Sequence, residues 1–152
     1  MGGIAFCALV LLCSESVMEA YTSMTAGHPF FMGFCKFALL ATLGECLALR
    51  LTKGVYMTAG FGLIPRAVVW GCLGVAISAA FMIFSAGAPA ILHLLGMEAA
   101  EQALSGPLGT TKILTAFSVS LTMNTMFAPI MMIAHKVADL HIAQYQGRLA
   151  CL

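Results

Sequence analysis

The most informative side chain in this sequence is a carboxylate, Glu45, that lies inside a long apolar segment. An ionisable group in a membrane span is costly, and it therefore marks a candidate functional site. Glu45 shares one helical face with the small residues Ala41 and Ala48, so we expect it to face other helices. Arg66 and His135 lie near the same depth and are its candidate partners. The contact could be an interhelical ion pair or hydrogen bond, or it could handle protons or cations on a translocation path.

A second set of polar residues lies in the last apolar segment. Its hydroxyl groups recur at helical spacing and could line a wet pathway or bond the carbonyls of their own helix. They belong to Thr115, Ser118, Thr122 and Thr125. We expect Asn124 to bond to a neighbouring helix, with a place in a pore as the alternative. Pro129 removes the usual donor to the Thr125 carbonyl, so a bend or a water site is expected there.

No residues with catalytic spacing accompany these groups. The sequence contains no nucleophile elbow, phosphate-binding loop or HExxH motif, and no cysteine–histidine spacing that suits zinc. His135 and Asp139 are four residues apart and could touch a metal, with Lys136 and His141 nearby. A solvated helix end is the simpler interpretation of this cluster. We therefore expect no enzyme activity, no cofactor and no metal.

The positions of these groups depend on helices whose solvent is lipid. The chain has 152 residues, of which 61% are apolar and 9% are charged. A soluble domain carries about a quarter charged residues, so this class is excluded, and intrinsic disorder is excluded because there is ample apolar surface to bury. The net charge is +1 with no basic run, which argues against a nucleic-acid partner. The expected partner is the lipid bilayer.

The whole chain, residues 1–152, is expected to form a single all-α domain, an integral membrane bundle of four transmembrane helices. A span takes about 20 apolar residues. The predicted spans are residues 2–20, 30–51, 66–86 and 111–137. A connection from residue 90 to residue 110 would carry a short helix over residues 97–104 on the membrane surface.

Small residues on the spans predict close helix packing. The second span contributes Ala41, and the third presents a groove that another helix could fill. The groove consists of Gly71, Gly74 and Ser78. Phenylalanines on the other side of the second span are expected to face lipid, and these are Phe30, Phe34 and Phe37.

The positive residues predict how the bundle is oriented. Five of the seven Lys and Arg residues lie on one side of the predicted membrane: Arg50, Lys53, Arg66, Lys136 and Arg148. Positive loops face the cytoplasm, so we expect both termini in the cytoplasm, with a bacterial cytoplasmic membrane as the location. Trp70, one turn inside Arg66, is a suitable interfacial anchor.

The segment from Asn124 to Pro129, followed by the basic residues His135 and Lys136, resembles the Mpv17/PMP22 family of small four-span membrane proteins. The glycine-rich stretch over residues 60–71 is similar to the entry of a preceding span in that family. The resemblance implies a pore for small solutes or a role in metabolite homeostasis. It maps only Asn124 and Pro129 onto the family.

We therefore expect a small multi-pass membrane protein that acts as a pore or transporter for small solutes or ions. Four spans leave little room for a lumen, so conduction would require a homo-oligomer or a cleft around Glu45. The alternative is a non-catalytic accessory or structural subunit that packs against other membrane subunits in a larger complex.

Overall fold

The computed structural model describes residues 14–148, which form helices joined by turns and short loops. The helices are α1 (Glu15–Gly27), α2 (Pro29–Lys53), α3 (Leu63–Leu94), α4 (Ala100–Ala103), α5 (Thr110–Thr122) and α6 (Ala128–Gln144). A π-helical turn over Met123–Phe127 joins α5 to α6. The described part of the chain has no strand, so the predicted all-α class is confirmed.

Three helical segments are long and apolar enough to cross a membrane. They are α2, α3 and the continuous rod of α5, the π turn and α6, which covers Thr110–Gln144. These segments contain three of the predicted spans, over residues 30–51, 66–86 and 111–137, and extend beyond them. By the length and composition of its helices, the chain is a membrane protein. The helix α3 contacts helices of both other spanning segments, α2, α5 and α6, and is the centre of the bundle.

The predicted fourth span, over residues 2–20, is not supported. Residues 2–13 lie outside the described part of the chain. The remaining helix, α1, has 13 residues, or about 20 Å at the usual rise, which is shorter than a bilayer core of about 30 Å. This helix lies against α2, where the Lys36 ammonium is 5.4 Å from the centre of the Tyr21 ring.

The ends of α2 follow from local chemistry. Pro29 lies in the first turn, where its missing N–H costs nothing. Gly54 ends the helix in the left-handed conformation, with a φ of 76°, and its N–H donates to the Arg50 carbonyl at 3.1 Å. Arg50 and Lys53 in the last turn complement the negative end of the helix dipole.

The helix α3 is longer than predicted at both ends. It begins at Leu63, and Pro65 is tolerated in the first turn because the N–H groups there have no intrahelical acceptor. It then continues through Pro89 to Leu94, so the predicted end at residue 86 is wrong. Pro89 is buried, and the neighbouring residue Ala88 lines a small cavity together with Ser118 and Leu121 of α5. Packing by a neighbouring helix allows a membrane helix to continue past a proline.

The predicted interfacial helix is also shorter than expected. Only Ala100–Ala103 is helical, within the segment 97–104 that was predicted. Ala100 and Ala103 are buried, whereas Glu101 and Gln102 are exposed, as the pattern predicts. The extension of α3 to Leu94 takes up residues that were expected to lie in the connection.

The helices α2 and α3 approach each other closely. A Cβ atom on Gly74 would lie 2.5 Å from the Gly33 carbonyl oxygen, and one on Gly33 would lie 2.9 Å from the Gly74 carbonyl oxygen. Neither position could carry a side chain unless the helices moved apart. The small-residue groove of Gly71, Gly74 and Ser78 therefore lies in the contact with α2.

Two aromatic rings of α2 fill the same contact. Phe34 covers Gly71, and the Phe37 Cβ atom would lie 2.7 Å from a Cβ atom on Gly74. The expectation that Phe34 and Phe37 face lipid is therefore wrong. A glycine groove leaves space that a bulky ring can occupy, and protein covers the ring as well as lipid would.

The buried face of α2 ends before the helix does, on the side that the charge pattern predicts to be cytoplasmic. Ala41 is half-buried and Thr42 and Cys46 are buried, whereas Ala48 is exposed. The small-residue seam predicted through Ala48 therefore ends at the turn that carries Glu45.

Replacement of Thr42 by valine should stabilise the bundle. The Thr42 side-chain oxygen is buried without a hydrogen-bond partner among the described residues. Removal of an unsatisfied buried hydroxyl should raise the free energy of unfolding by about 1 kcal/mol. Denaturation by SDS in mixed micelles, followed by circular dichroism, measures this change. Thr52→Val is the matched control, because the exposed Thr52 hydroxyl donates to the Ala48 carbonyl at 2.7 Å; equal shifts in both variants would contradict the prediction.

Candidate functional site: a polar network between three helices

Five side chains from the three spanning segments meet at one end of the bundle: Glu45 of α2, Arg66 and Trp70 of α3, and His135 and Asp139 of α6. We call these five residues the polar network. Arg66 Nη1 donates to Glu45 Oε2 at 2.5 Å and to Asp139 Oδ1 at 2.6 Å. Trp70 Nε1 donates to Glu45 Oε1 at 2.6 Å, and His135 Nε2 lies 3.3 Å from the same oxygen. Glu45 therefore contacts both of its candidate partners.

Arg66 is held in place by the loop before α3. Its Nε–H donates to the Phe61 carbonyl at 2.7 Å, and the guanidinium carbon lies 4.8 Å from the centre of the Phe61 ring. Its backbone N–H donates to the carbonyl of Gly62, the residue before α3. These contacts leave Nη1 free to reach both carboxylates.

Two glycines join this loop to the end of the chain. Gly62 and Gly147 both have a φ of 69°, a left-handed conformation that favours glycine. A Cβ atom on Gly147 would lie 2.5 Å from the Gly62 nitrogen, so the two backbones touch. The turn after α6 therefore packs against the start of α3, beside the residues that position Arg66.

Helical spacing aligns the other members. His135 and Asp139 are four residues apart on α6 and point to the same side, with 3.8 Å between His135 Nε2 and Asp139 Oδ1. Trp70 follows Arg66 by one turn, and its indole lies against the imidazole with 4.2 Å between ring centres and an interplanar angle of 38°. The tryptophan is therefore part of the site as well as a bulky group at the helix end.

The charges in the network do not balance. In their ionised forms Glu45 and Asp139 contribute two negative charges, and Arg66 contributes one positive charge. The exposed fraction of the side chains ranges from 13% for His135 to 26% for Asp139. At this burial, water screens the charges only in part, so the guanidinium between the carboxylates is a strong electrostatic contact.

The network opens to a cavity. A space of about 360 Å³ is lined by Glu45 and Arg66 together with residues from the end of α2 and the loop before α3. Thr52, Thr58 and Lys53 contribute polar groups to its wall. Glu45 is therefore both paired with cationic or donor groups and in contact with an accessible space.

One histidine and two carboxylates are a chemically suitable set for a divalent metal. Donor atoms of Glu45, His135 and Asp139 lie within 4.8 Å of one another. The Arg66 guanidinium, however, already bridges the two carboxylates at hydrogen-bond distance. A metal ion would have to displace this fixed positive charge, so the geometry is that of an ion-pair network.

Asn124 does not reach a neighbouring helix. Its Nδ2 donates to the Ser120 carbonyl at 2.8 Å and approaches Ser120 Oγ at 3.4 Å. The prediction of an interhelical bond is therefore wrong, because the side chain satisfies its donor within its own helix. Asn124 is exposed, beside a cavity of about 430 Å³ between α3 and α5 that Phe81 and Val119 also line.

The hydroxyl stripe makes mostly local bonds. Thr122 Oγ1 donates to the Ser118 carbonyl and Thr125 Oγ1 to the Leu121 carbonyl, each at 2.8 Å. The stripe lies far from the polar network, since Thr122 precedes His135 by about 20 Å of helix. The structure therefore does not bring Thr122 and Thr125 together with Glu45.

Pro129 lies in the first turn of α6, directly after the π turn. The Ala128 N–H donates to the Met123 carbonyl, five residues back, where an α-helix would use the residue four back. Pro129 itself has no N–H to give to the Thr125 carbonyl. The irregularity expected at this proline takes the form of a π turn in the middle of the span.

Two members of the network were not predicted as site residues. Asp139 was interpreted as part of a solvated helix end, and Trp70 as an interfacial anchor. The available signal was spacing, because Asp139 follows His135, and Trp70 follows Arg66, by one helical turn. Lys136 and His141, the other members of the predicted solvated cluster, are exposed as expected.

No protein-family model, curated protein or solved structure matches this chain. The chemistry of the polar network is therefore inferred from its own contacts: two carboxylates, one guanidinium, one imidazole and one indole, contributed by three spanning helices.

Proposed function

We propose that this protein is a small transporter or pore for ions or small solutes and that the polar network is its gate. The main support for the proposal is that Glu45 is paired with groups on other helices and also lines a cavity. Its carboxylate is paired with Arg66 and lies near His135 on the other two spanning segments, and it also lines a cavity of about 360 Å³. A gate requires these two properties, because it must close between helices and must be reachable by what passes.

A purely structural ion pair is the competing explanation. Helix association in membranes needs only small residues and an occasional hydrogen bond, and α2 and α3 already have this in the contact of Gly33 with Gly74. Four ionisable groups are more than such packing needs, and each of them is expensive in a membrane. This surplus favours a function for the network.

The proposal also includes the orientation of the protein in the membrane, the type of membrane and the protein family. The network lies at the end of the bundle that carries Arg50 and Lys53, and the positive-inside rule supports a cytoplasmic position for this end. A bacterial cytoplasmic membrane and kinship with the Mpv17/PMP22 family are consistent with it. Three described spans enclose little space, so a homo-oligomer or a cleft beside Glu45 would form the path.

Glu45→Gln is the test of this function. In liposomes that contain the purified protein, the flux of small solutes and ions should change by about tenfold or more, equivalent to about 1.4 kcal/mol in the barrier. The amide keeps the shape of the side chain but removes the charge that holds Arg66. Release of entrapped solutes of increasing size measures the flux.

Glu101→Gln is the matched control, because Glu101 is an exposed carboxylate on α4, outside the spanning segments. Its flux should equal that of the wild type. Absence of flux in the wild type, or identical flux in both variants and the wild type, would contradict a transport function.

The second candidate is an accessory subunit of a membrane complex. The observation in its favour is Asn124, an exposed amide in the middle of a spanning segment, beside a concave surface on α3 and α5. A partner helix would cover this surface. Purification in mild detergent distinguishes the candidates, since stoichiometric co-purification with other membrane chains supports the subunit and a pure homo-oligomer contradicts it.

A further inference from the structure

We infer that the polar network is a binding site for one exchangeable proton, that His135 takes this proton, and that the proton is the ion coupled to transport. The inference rests on the proposed function for its coupling step. The proton site itself depends only on the geometry of the network. The two parts can therefore be tested separately.

The charge balance gives the first reason. His135 contacts Glu45 from α2, Trp70 from α3 and Asp139 from its own helix, and Arg66 from α3 bridges the two carboxylates. With a neutral imidazole, these groups leave one uncompensated negative charge. One proton on His135 makes the network neutral, and a neutral network costs less in a membrane than a charged one.

The distances decide which ion fits. His135 Nε2 is 3.3 Å from Glu45 Oε1, and Arg66 Nη1 is 2.5 Å from Glu45 Oε2 and 2.6 Å from Asp139 Oδ1. These are hydrogen-bond distances and leave no volume for a metal ion or a solute between the groups. A proton needs no such volume, since it adds to a lone pair that is already present.

The position of the added proton follows from the same contacts. Nε2 faces two carboxylate oxygens and therefore carries a hydrogen in the neutral ring. The incoming proton from water adds to the lone pair of Nδ1 and forms an imidazolium. No bond to carbon changes and no electrons are transferred, and the charge of the network rises from −1 to 0. The cavity that Glu45 and Arg66 line gives water access to these two members of the network.

The single tryptophan of the chain reports on this proton. A protonated imidazole quenches the emission of an indole in contact with it, and the ring centres of Trp70 and His135 are 4.2 Å apart. In nanodiscs, the emission of the full-length wild type should fall about twofold when the pH is lowered from 8 to 5, because a proton on His135 places a cation against the indole. His135→Gln should abolish the change.

Two further variants test whether the change in emission comes from His135. His135→Arg retains a positive charge beside the carboxylates, so it should fold and show emission independent of pH. His141→Gln removes an exposed histidine of the same helix, which lies against Tyr145 and outside the network. In this variant the Trp70 emission should fall with pH as it does in the wild type. Constant emission in the wild type, or equal quenching in His135→Gln, would overturn the proton site.

Liposomes with an entrapped pH dye test the coupling. Under a potassium diffusion potential, the wild type and His141→Gln should move protons about tenfold faster than His135→Gln. Solute flux without proton movement would overturn the coupling but leave the transport function intact. Quenching that depends on His135, with no flux of protons or solutes, would support the proton site and overturn the proposed function.

Discussion

Replacement of Arg66 by glutamine should lower the free energy of unfolding by about 3–5 kcal/mol, the usual cost of removing one partner from a buried ion pair. Arg66 bridges Glu45 and Asp139, and its side chain is 16% exposed. Without the guanidinium, two carboxylates would face each other between helices with no fixed positive charge. Denaturation by SDS in mixed micelles, followed by circular dichroism, measures the loss.

The reason for the loss can be checked by neutralising the acids as well. The triple variant Arg66→Gln, Glu45→Gln, Asp139→Asn should recover most of the stability, because its amides can bond to one another without charge. Arg50→Gln is the control, since Arg50 is exposed at the end of α2 and should change the stability by about 1 kcal/mol or less. A similarly small effect for Arg66→Gln would show that the network is fully solvated.

Replacement of Gly74 by alanine should destabilise the bundle by about 2–3 kcal/mol, as overpacking does in a tight contact. The new methyl group would lie 2.5 Å from the Gly33 carbonyl oxygen and 2.7 Å from the Phe37 Cβ atom. Both belong to the body of α2, which cannot rotate away as a side chain can. The helices α2 and α3 would have to separate. The same SDS titration reports the result.

Gly87→Ala is the matched control on the same helix. Beyond the adjacent backbone of its own helix, no heavy atom lies within 4 Å of a Cβ atom at Gly87, so alanine should gain up to about 1 kcal/mol from its higher helix propensity. The two substitutions add the same methyl group and should therefore change the stability with opposite signs. Equal effects would contradict the close approach of α2 and α3.

Much of the fold can be predicted from the composition, because charged side chains in a membrane protein are restricted to the ends of spans and to positions that face other helices. Three of the predicted spans lie within helices that can cross a bilayer, and the groove at Gly71 and Gly74 lies in a helix contact. Glu45, Arg66 and His135 were predicted to interact only because they lie at a similar depth in the predicted membrane. A charge inside an apolar segment can meet only the few polar groups at its own level.

Other features could not be predicted, because hydropathy does not distinguish a side chain that faces lipid from one that packs against another helix. Phe34 and Phe37 are apolar wherever they lie, and only the glycines of α3 decide that they pack inward. Asp139 was placed in water because the predicted span ended at residue 137, whereas α6 continues to Gln144. Local bonds also compete with tertiary bonds, and the contact of Asn124 with its own helix is the result.

The π turn over Met123–Phe127 sets the rotational phase of α6. Each residue of an α-helix advances the direction of its side chain by about 100°, and a π turn accommodates one residue beyond this count. With α5 fixed against α3, a regular helix through this turn would point His135 and Asp139 about 100° away from Glu45. The irregular turn in the middle of the span is therefore what orients the imidazole at its end. A local change between π and α geometry would act there as rotation of a whole helix segment.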